Sequence, residues 1–157
     1  MNRKYEFTGE TRNWVGRTLH RIRAVRDFGD VKAGDLGGWI EKERNLSHDG
    51  NAWVYGNARV YGNAEVYGDA RVYGDARVSG RKHILWISMI GSRDDTVTFM
   101  RAKDEKIIVA VGCFGGTIDE FERKVKETHG DNEHGKAYRL AIELAKLRID
   151  LDKEETK

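Results

Sequence analysis

The chain has 157 residues, 34% of them charged, and a formal net charge of +2. That length is one domain's worth, or two small units sharing a spine, and the mixed charge describes a solvated surface rather than a generic nucleic-acid binder. The single cysteine, Cys113, excludes an internal disulfide framework and fits a reducing compartment.

In chain order, Lys4 to Thr8 and Thr18 to Phe28 read as strands. In the second, the apolar residues Leu19, Ile22, Ala24, Val25 and Phe28 are interrupted by Arg17, Arg21, Arg23 and Arg26. The arginines are either a phosphate-binding face or the solvent side of an edge strand, and the second reading is preferred. Asp27 to Gly38 is a turn-rich connector whose glycines match neither the dinucleotide-binding nor the Walker spacing. Trp39, Ile40 and Leu46 are expected to plug the open end of whatever follows, because a stacked array must cover its terminal apolar side chains. Residues 1–50 are thus read as an N-terminal strand and cap region.

From Asn51 to Gly80 five units of the form Asn/Asp-Ala-x-Val-Tyr/Ser-Gly follow without a slip. Ala and Val, two residues apart, put apolar side chains on one side of a short extended segment, and Gly with Asn or Asp turns the chain. A short fixed period means one small unit stacked on copies of itself. The pattern resembles the hexapeptide repeat of left-handed parallel β-helices. The stretch from Arg23 to Tyr55, with AVRDFGDVKAGDLGGWIEKERNLSHDGNAWVYG, is similar to the YdcK-like branch of that superfamily. The resemblance implies three units per coil, so that Val54 stacks on Val72, Val60 on Val78 and Tyr55 on Tyr73, with Trp53 beside Arg71. It also implies a bacteriophage or prophage setting. His48 falls where the phase expects Val. In hexapeptide acyltransferases a His is the general base, but under two clean coils is short for that chemistry, and a degenerate first unit is the preferred reading.

After Gly80 the period ends, and residues 81–150 form a second module. His83 to Ile90, Thr96 to Arg101 and Ile107 to Cys113 read as a three-stranded antiparallel meander with turns at Gly91–Asp95 and Lys103–Lys106. Thr117 and Glu120 make a capping box that starts a helix at Ile118, buried through Ile118, Phe121 and Val125 and stopped at Gly130. A second helix, Glu133 to Ile149, presents Ala137, Leu140, Ala141, Leu144 and Leu147, widened by Tyr138, Ile142 and Ala145. The segment IGSRDDT…VGCFGGTIDEF…KETHGDNEHGKAY resembles a small C-terminal domain recurring in phage and prophage proteins. Residues 151–157 read as a charged tail. The expected class is therefore mainly β with an α+β C-terminal part: a short left-handed parallel β-helix with an N-terminal strand cap, then a three-stranded antiparallel sheet with two helices.

Two candidate sites emerge. Gly115, Gly116 and Thr117, between a strand end and a helix N-terminus, offer backbone N–H groups to an anion, with Arg93 and Arg101 as counter-charges. Trp53, Tyr55, Tyr61, Tyr67 and Tyr73 form an expected oligomer interface, a dimer or trimer, because the short repeat core buries little and tyrosine is frequent at interfaces. Cys113 with His129 and Asp131 is weighed as a nucleophile, and His129, His134, Asp131 and Glu133 as a metal cluster. A small buried thiol and a solvated turn explain them better. No catalytic residue, metal or cofactor is expected. No apolar run approaches the ~20 residues that span a bilayer, and MNRKYEF lacks a leader's apolar core, so the cytoplasm of a host cell is the expected location. The functional expectation is a non-catalytic phage accessory protein. It would bind a host protein or an anionic, nucleotide-like ligand and so inhibit a host defence system. A reduced hexapeptide acyltransferase and a virion or scaffold protein are the alternatives.

Overall fold

A computed structural model describes residues 3–151. The chain opens with a long hairpin, β1 (Tyr5–Trp14) and β2 (Arg17–Ala24), turned at Val15 and Gly16, both at positive φ as a tight two-residue hairpin turn requires. β3 (Leu36–Ile40) pairs antiparallel with β2 and parallel with β5 (Arg59–Val60), which pairs parallel with β7 (Arg77–Val78). These make one five-stranded mixed sheet in the order β1-β2-β3-β5-β7. β4 (Trp53–Val54) and β6 (Arg71–Val72) form a separate two-stranded parallel sheet. Leu46 and Val66 meet only as an isolated bridge.

The expected left-handed parallel β-helix is corrected by this topology. The pairs Val54–Val72 and Val60–Val78 form as expected, but each repeat strand is two residues long and has one repeat partner. Two of the four such strands are absorbed into a sheet that the N-terminal hairpin begins. The physical reason is number. Five units supply a single parallel pairing on each of two faces, so the remaining backbone groups must be paired by non-repeat segments.

The repeat side chains nevertheless bury as the pattern requires. Ala52, Ala58, Ala64, Ala70 and Ala76, and Val54, Val60, Val66, Val72 and Val78, are all at most 1% exposed and share one core. Ile40 and Leu46 join it in line with Val60 and Val66 rather than as a plug, while Trp39 packs outside with Leu19 and Tyr61. Tyr5, Ile22, Ala24, Phe28 and Val31 complete that core instead. Gly38 lies so close to the repeats that a Cβ there would stand 2.7 Å from the Ala58 carbonyl oxygen. Close packing, not phosphate binding, explains the Gly37–Gly38 pair.

The C-terminal sheet is four-stranded and antiparallel: β8 (Ile84–Ile90), β9 (Asp95–Ala102), β10 (Lys106–Val111) and β11 (Phe114–Thr117), in the order β11-β10-β9-β8. The fourth strand corrects the expected three. The stretch Phe114–Thr117, read as a loop, pairs with Ile108–Val111 because its backbone finds an open sheet edge there. Strand alternation then divides two cores. Ile84, Met100, Ala102, Ile108 and Ala110 close the repeat core, whereas Val97, Phe99, Ile107, Val109 and Val111 pack on the helices. Ala76 bridges to Ala102, and Arg71 N–H donates to the Thr98 hydroxyl at 3.1 Å. The module is therefore the wall that seals the repeats.

α1 (Ile118–His129) starts at the capping box of Thr117 and Glu120 and buries Ile118, Phe121 and Val125. α2 (Glu133–Arg148) buries Tyr138, Ala141, Ile142 and Ala145. The expected leucine face is corrected: Leu140, Leu144 and Leu147 are 68%, 41% and 80% exposed. Both stripes have helical spacing, and Tyr138 and Ile142 win because they meet Phe121 and the sheet. Of the expected tail only Leu151 lies among the described residues.

Candidate anion-binding groove

The x position of each repeat unit points away from the Val–Ala side of its strand, and three of the five units carry arginine there. Arg59 and Arg77 are ladder neighbours on β5 and β7, and Arg71 stands on β6. The C-terminal sheet faces them with Lys103 from the β9–β10 turn, Cys113 from the β10–β11 turn, and Phe114 and Gly115 from β11. Between the two walls lies a groove of about 710 Å³ lined also by Tyr55, Tyr73, Asp30 and Asp75. Four cationic side chains against two carboxylates give the lining a positive balance.

Both tyrosines are fixed. Tyr55 Oη donates to the Asp30 carboxylate at 3.1 Å, and Tyr73 Oη to the Val109 carbonyl at 2.9 Å. Burial, with the Asp30 charge and hydrogen bond, pushes the Tyr55 phenol up to about 12. Burial also raises that of Tyr73. Neither is an acid near neutrality, so the rings act as half-buried aromatic surface. Arg71 Nη2 is buried with no hydrogen-bond partner among the described residues. A smaller cavity of about 350 Å³ shares Asp30, Tyr55 and Arg71 and is lined by Asp69, Asp94 and Asp95. Arg71 thus stands where a basic groove meets an acidic one.

The expected anion site is not assembled. Arg101 is 3% exposed and donates to the Arg77 carbonyl at 2.9 Å, while Arg93 sits in the exposed β8–β9 turn. Gly116 is paired within the sheet, and the Thr117 N–H donates to the Glu120 carboxylate at 2.8 Å. The chain's own capping carboxylate fills the helix N-terminus where a ligand anion was expected. Gly115 does line the groove.

The aromatic row is also redistributed. Trp53 and Tyr61 are 1% and 3% exposed, and Tyr67 is 57% exposed against Trp86. Trp53 pairs with Arg71 along the strands, but its ring packs edge-on to Tyr5 and Phe28. Tyr55 and Tyr73 belong to the groove rather than to a flat outer face.

His48 is built into the N-terminal packing. Its Nδ1 accepts from the Lys4 N–H at 3.0 Å, its Nε2 lies 2.9 Å from Glu43, and its ring stacks on Tyr5 at 4.1 Å. The hydrogen bond with His48 holds the Glu43 carboxyl below the usual carboxylate range. Cys113 is exposed at the groove rim. His129 and His134 rings lie 5.5 Å apart. Among the described residues no group of three or more His, Cys, Asp and Glu side chains is placed to hold a metal ion.

Over 51 residues, 32% of its length, the chain is 43% identical to a protein of Escherichia coli (strain K12) described as an uncharacterized acetyltransferase, YdcK. The matched stretch spans 15% of that protein. No family model matches the chain. The relation to the YdcK-like family thus rests on about a third of the sequence. Among the described residues no helix is long and apolar enough to cross a membrane.

Sequence reasoning missed Arg59, Arg71, Arg77, Lys103 and Asp30. The signal that was present is the recurrence of arginine at the outward position of the repeat, which only the arrival of the C-terminal sheet turns into a groove.

Proposed function

We propose that the protein is a non-catalytic binding module whose groove takes an anionic, ring-bearing ligand of nucleotide type. The observation that carries this reading is the convergence of Arg59, Arg71, Arg77 and Lys103 on one cavity beside the Tyr55 and Tyr73 rings. Arginine forks suit phosphate oxygens, and a tyrosine face stacks on a base. A phosphate reaching Arg71 after a small rotation of its side chain would supply the acceptor that Nη2 lacks. The volume is in the range of sites for molecules of that size. In the bacteriophage or prophage setting that the resemblance implies, with the second module as its recurring C-terminal domain, the use is inhibition of a host defence system in the host cytoplasm by sequestering such a ligand. Self-association, expected from the tyrosine row, would now rest on Tyr67 alone among the exposed repeat aromatics.

Calorimetric titration with ATP, pyrophosphate and adenosine tests the reading. ATP should bind more tightly than either fragment, weaken steeply with salt, and lose at least about tenfold in affinity in the double variant Arg71→Ala, Lys103→Ala. Equal affinity of wild type and variant, or no binding, would refute it.

The name of the YdcK relative favours a second reading, acetyl transfer from a CoA thioester. Coenzyme A is itself a phosphorylated adenosine, so the same groove would receive it. Transfer of the acetyl group from acetyl-CoA to an added amine or alcohol, with the acetylated acceptor and free CoA thiol formed in equal amounts, would establish that reading in place of the first.

A further inference from the structure

Arg59 and Arg77 stand directly beside one another on adjacent parallel strands, an arrangement that places two like charges side by side. Their guanidinium carbons lie 4.0 Å and 4.4 Å from the centroid of a single ring, that of Trp14. Trp14 is the last residue of β1, at the tip of the N-terminal hairpin, and it does not line the groove. The hairpin tip is tied to the β3 segment and to the repeats by further contacts. Arg12 lies 4.3 Å from the Trp39 ring centroid, and Arg17 lies 5.9 Å from that of Tyr61 while its Nη1 donates to Glu41 at 2.9 Å.

We infer that Trp14 is a positioning residue for the ligand groove, holding Arg59 and Arg77 in place through cation–π contact. The inference rests on the groove being the binding site proposed above. An indole face attracts guanidinium through its quadrupole and takes no proton, so it steadies both cations without neutralising either. A carboxylate in the same place would hold the arginines equally well but would cancel the charge an anionic ligand needs. An interaction already formed before binding reduces the ordering cost of long arginine side chains. The hairpin also becomes a reporter of occupancy, because any anion that draws the two guanidinium groups toward the groove alters their stacking on Trp14.

The test uses full-length protein labelled with 5-fluorotryptophan, its Trp14 resonance assigned by Trp14→Phe, and ATP as the probe. In the free protein, Arg59→Gln and Arg77→Gln should each shift the Trp14 resonance. An unmoved resonance in both overturns the clamp whether or not ATP binds. With ATP, the wild-type resonance should shift on saturation. Trp14→Leu should weaken ATP binding about tenfold and flatten its salt dependence, and Trp14→Phe should restore affinity to within about threefold of wild type. If Trp14→Leu does not fold, the Trp14→Phe affinity and the two arginine-variant shifts still decide. Wild-type affinity in Trp14→Leu would overturn the positioning role while leaving the groove intact. Failure of the wild type to bind ATP, pyrophosphate and adenosine would instead remove the groove reading on which the role depends.

Discussion

His83 shows how a single side chain near the junction carries a pH-dependent share of stability. Its Nδ1 accepts from the Ser79 N–H at 3.0 Å, which requires the neutral ring. Burial first, and the Arg101 charge second, lower its pKa from 6.5 to about 4, against a smaller opposing effect of Asp150. Below pH 6.5 the unfolded chain takes up a proton that the folded chain refuses. The contribution is thus fully present above pH 6.5 and is lost as the pH falls toward 4. In His83→Asn, whose amide oxygen can accept the same bond, the drop in stability between pH 6.5 and 4 should be smaller than in wild type by up to about 2 kcal/mol. Urea titrations across that range check it, and parallel curves would count against the assignment. At the same scale, the repeat valines and alanines were legible one by one, because a period of six leaves each only one side to face. The groove arginines were not, since an outward position says nothing about which segment will later lie over it.

Elements were legible where a local rule acted alone. The Thr117–Glu120 box places the start of α1, and Gly130 its end, because capping involves only neighbouring residues. The same rule hid its consequence: the box satisfies the Thr117 and Glu120 N–H groups and sets the Glu120 carboxylate at the helix start, where an anion was expected. α2 was misread because it carries two apolar stripes, and choosing between them depends on α1 and the sheet. The contrast is measurable. Ile142→Ala should cost about 2–4 kcal/mol, since Ile142 is 1% exposed, whereas Leu147→Ser, at an 80% exposed site, should stay within about 0.5 kcal/mol of wild type. Denaturant unfolding of both variants decides; comparable losses would place the leucine stripe in the core after all. β11 was missed for a related reason. A Gly-Gly pair reads as a turn until a partner edge is available.

At the scale of the whole molecule, the repeats and the C-terminal module share one core. Met100, Ala102, Ile108 and Ala110 bury against the repeat side chains, and Asp150 N–H returns to the Lys82 carbonyl at 2.8 Å. A boundary at Gly80 is real in composition and period, yet the apolar surface on either side of it is closed by the other. That is why the fold class was only partly legible. The pairing of Val54 with Val72 follows from the repeat itself, while the mixed sheet and the sealing wall depend on residues outside it. The groove is a product of the same closure, with arginines from one part and Lys103 and Phe114 from the other. Its occupancy is the central claim, and mass spectrometry of small molecules released from protein purified out of bacterial cells tests it most directly. A phosphorylated, ring-bearing compound near one per chain in wild type, and absent from Arg71→Ala, Lys103→Ala, is the predicted result. A compound retained equally by both proteins, or none from wild type even after incubation with lysate, would contradict it.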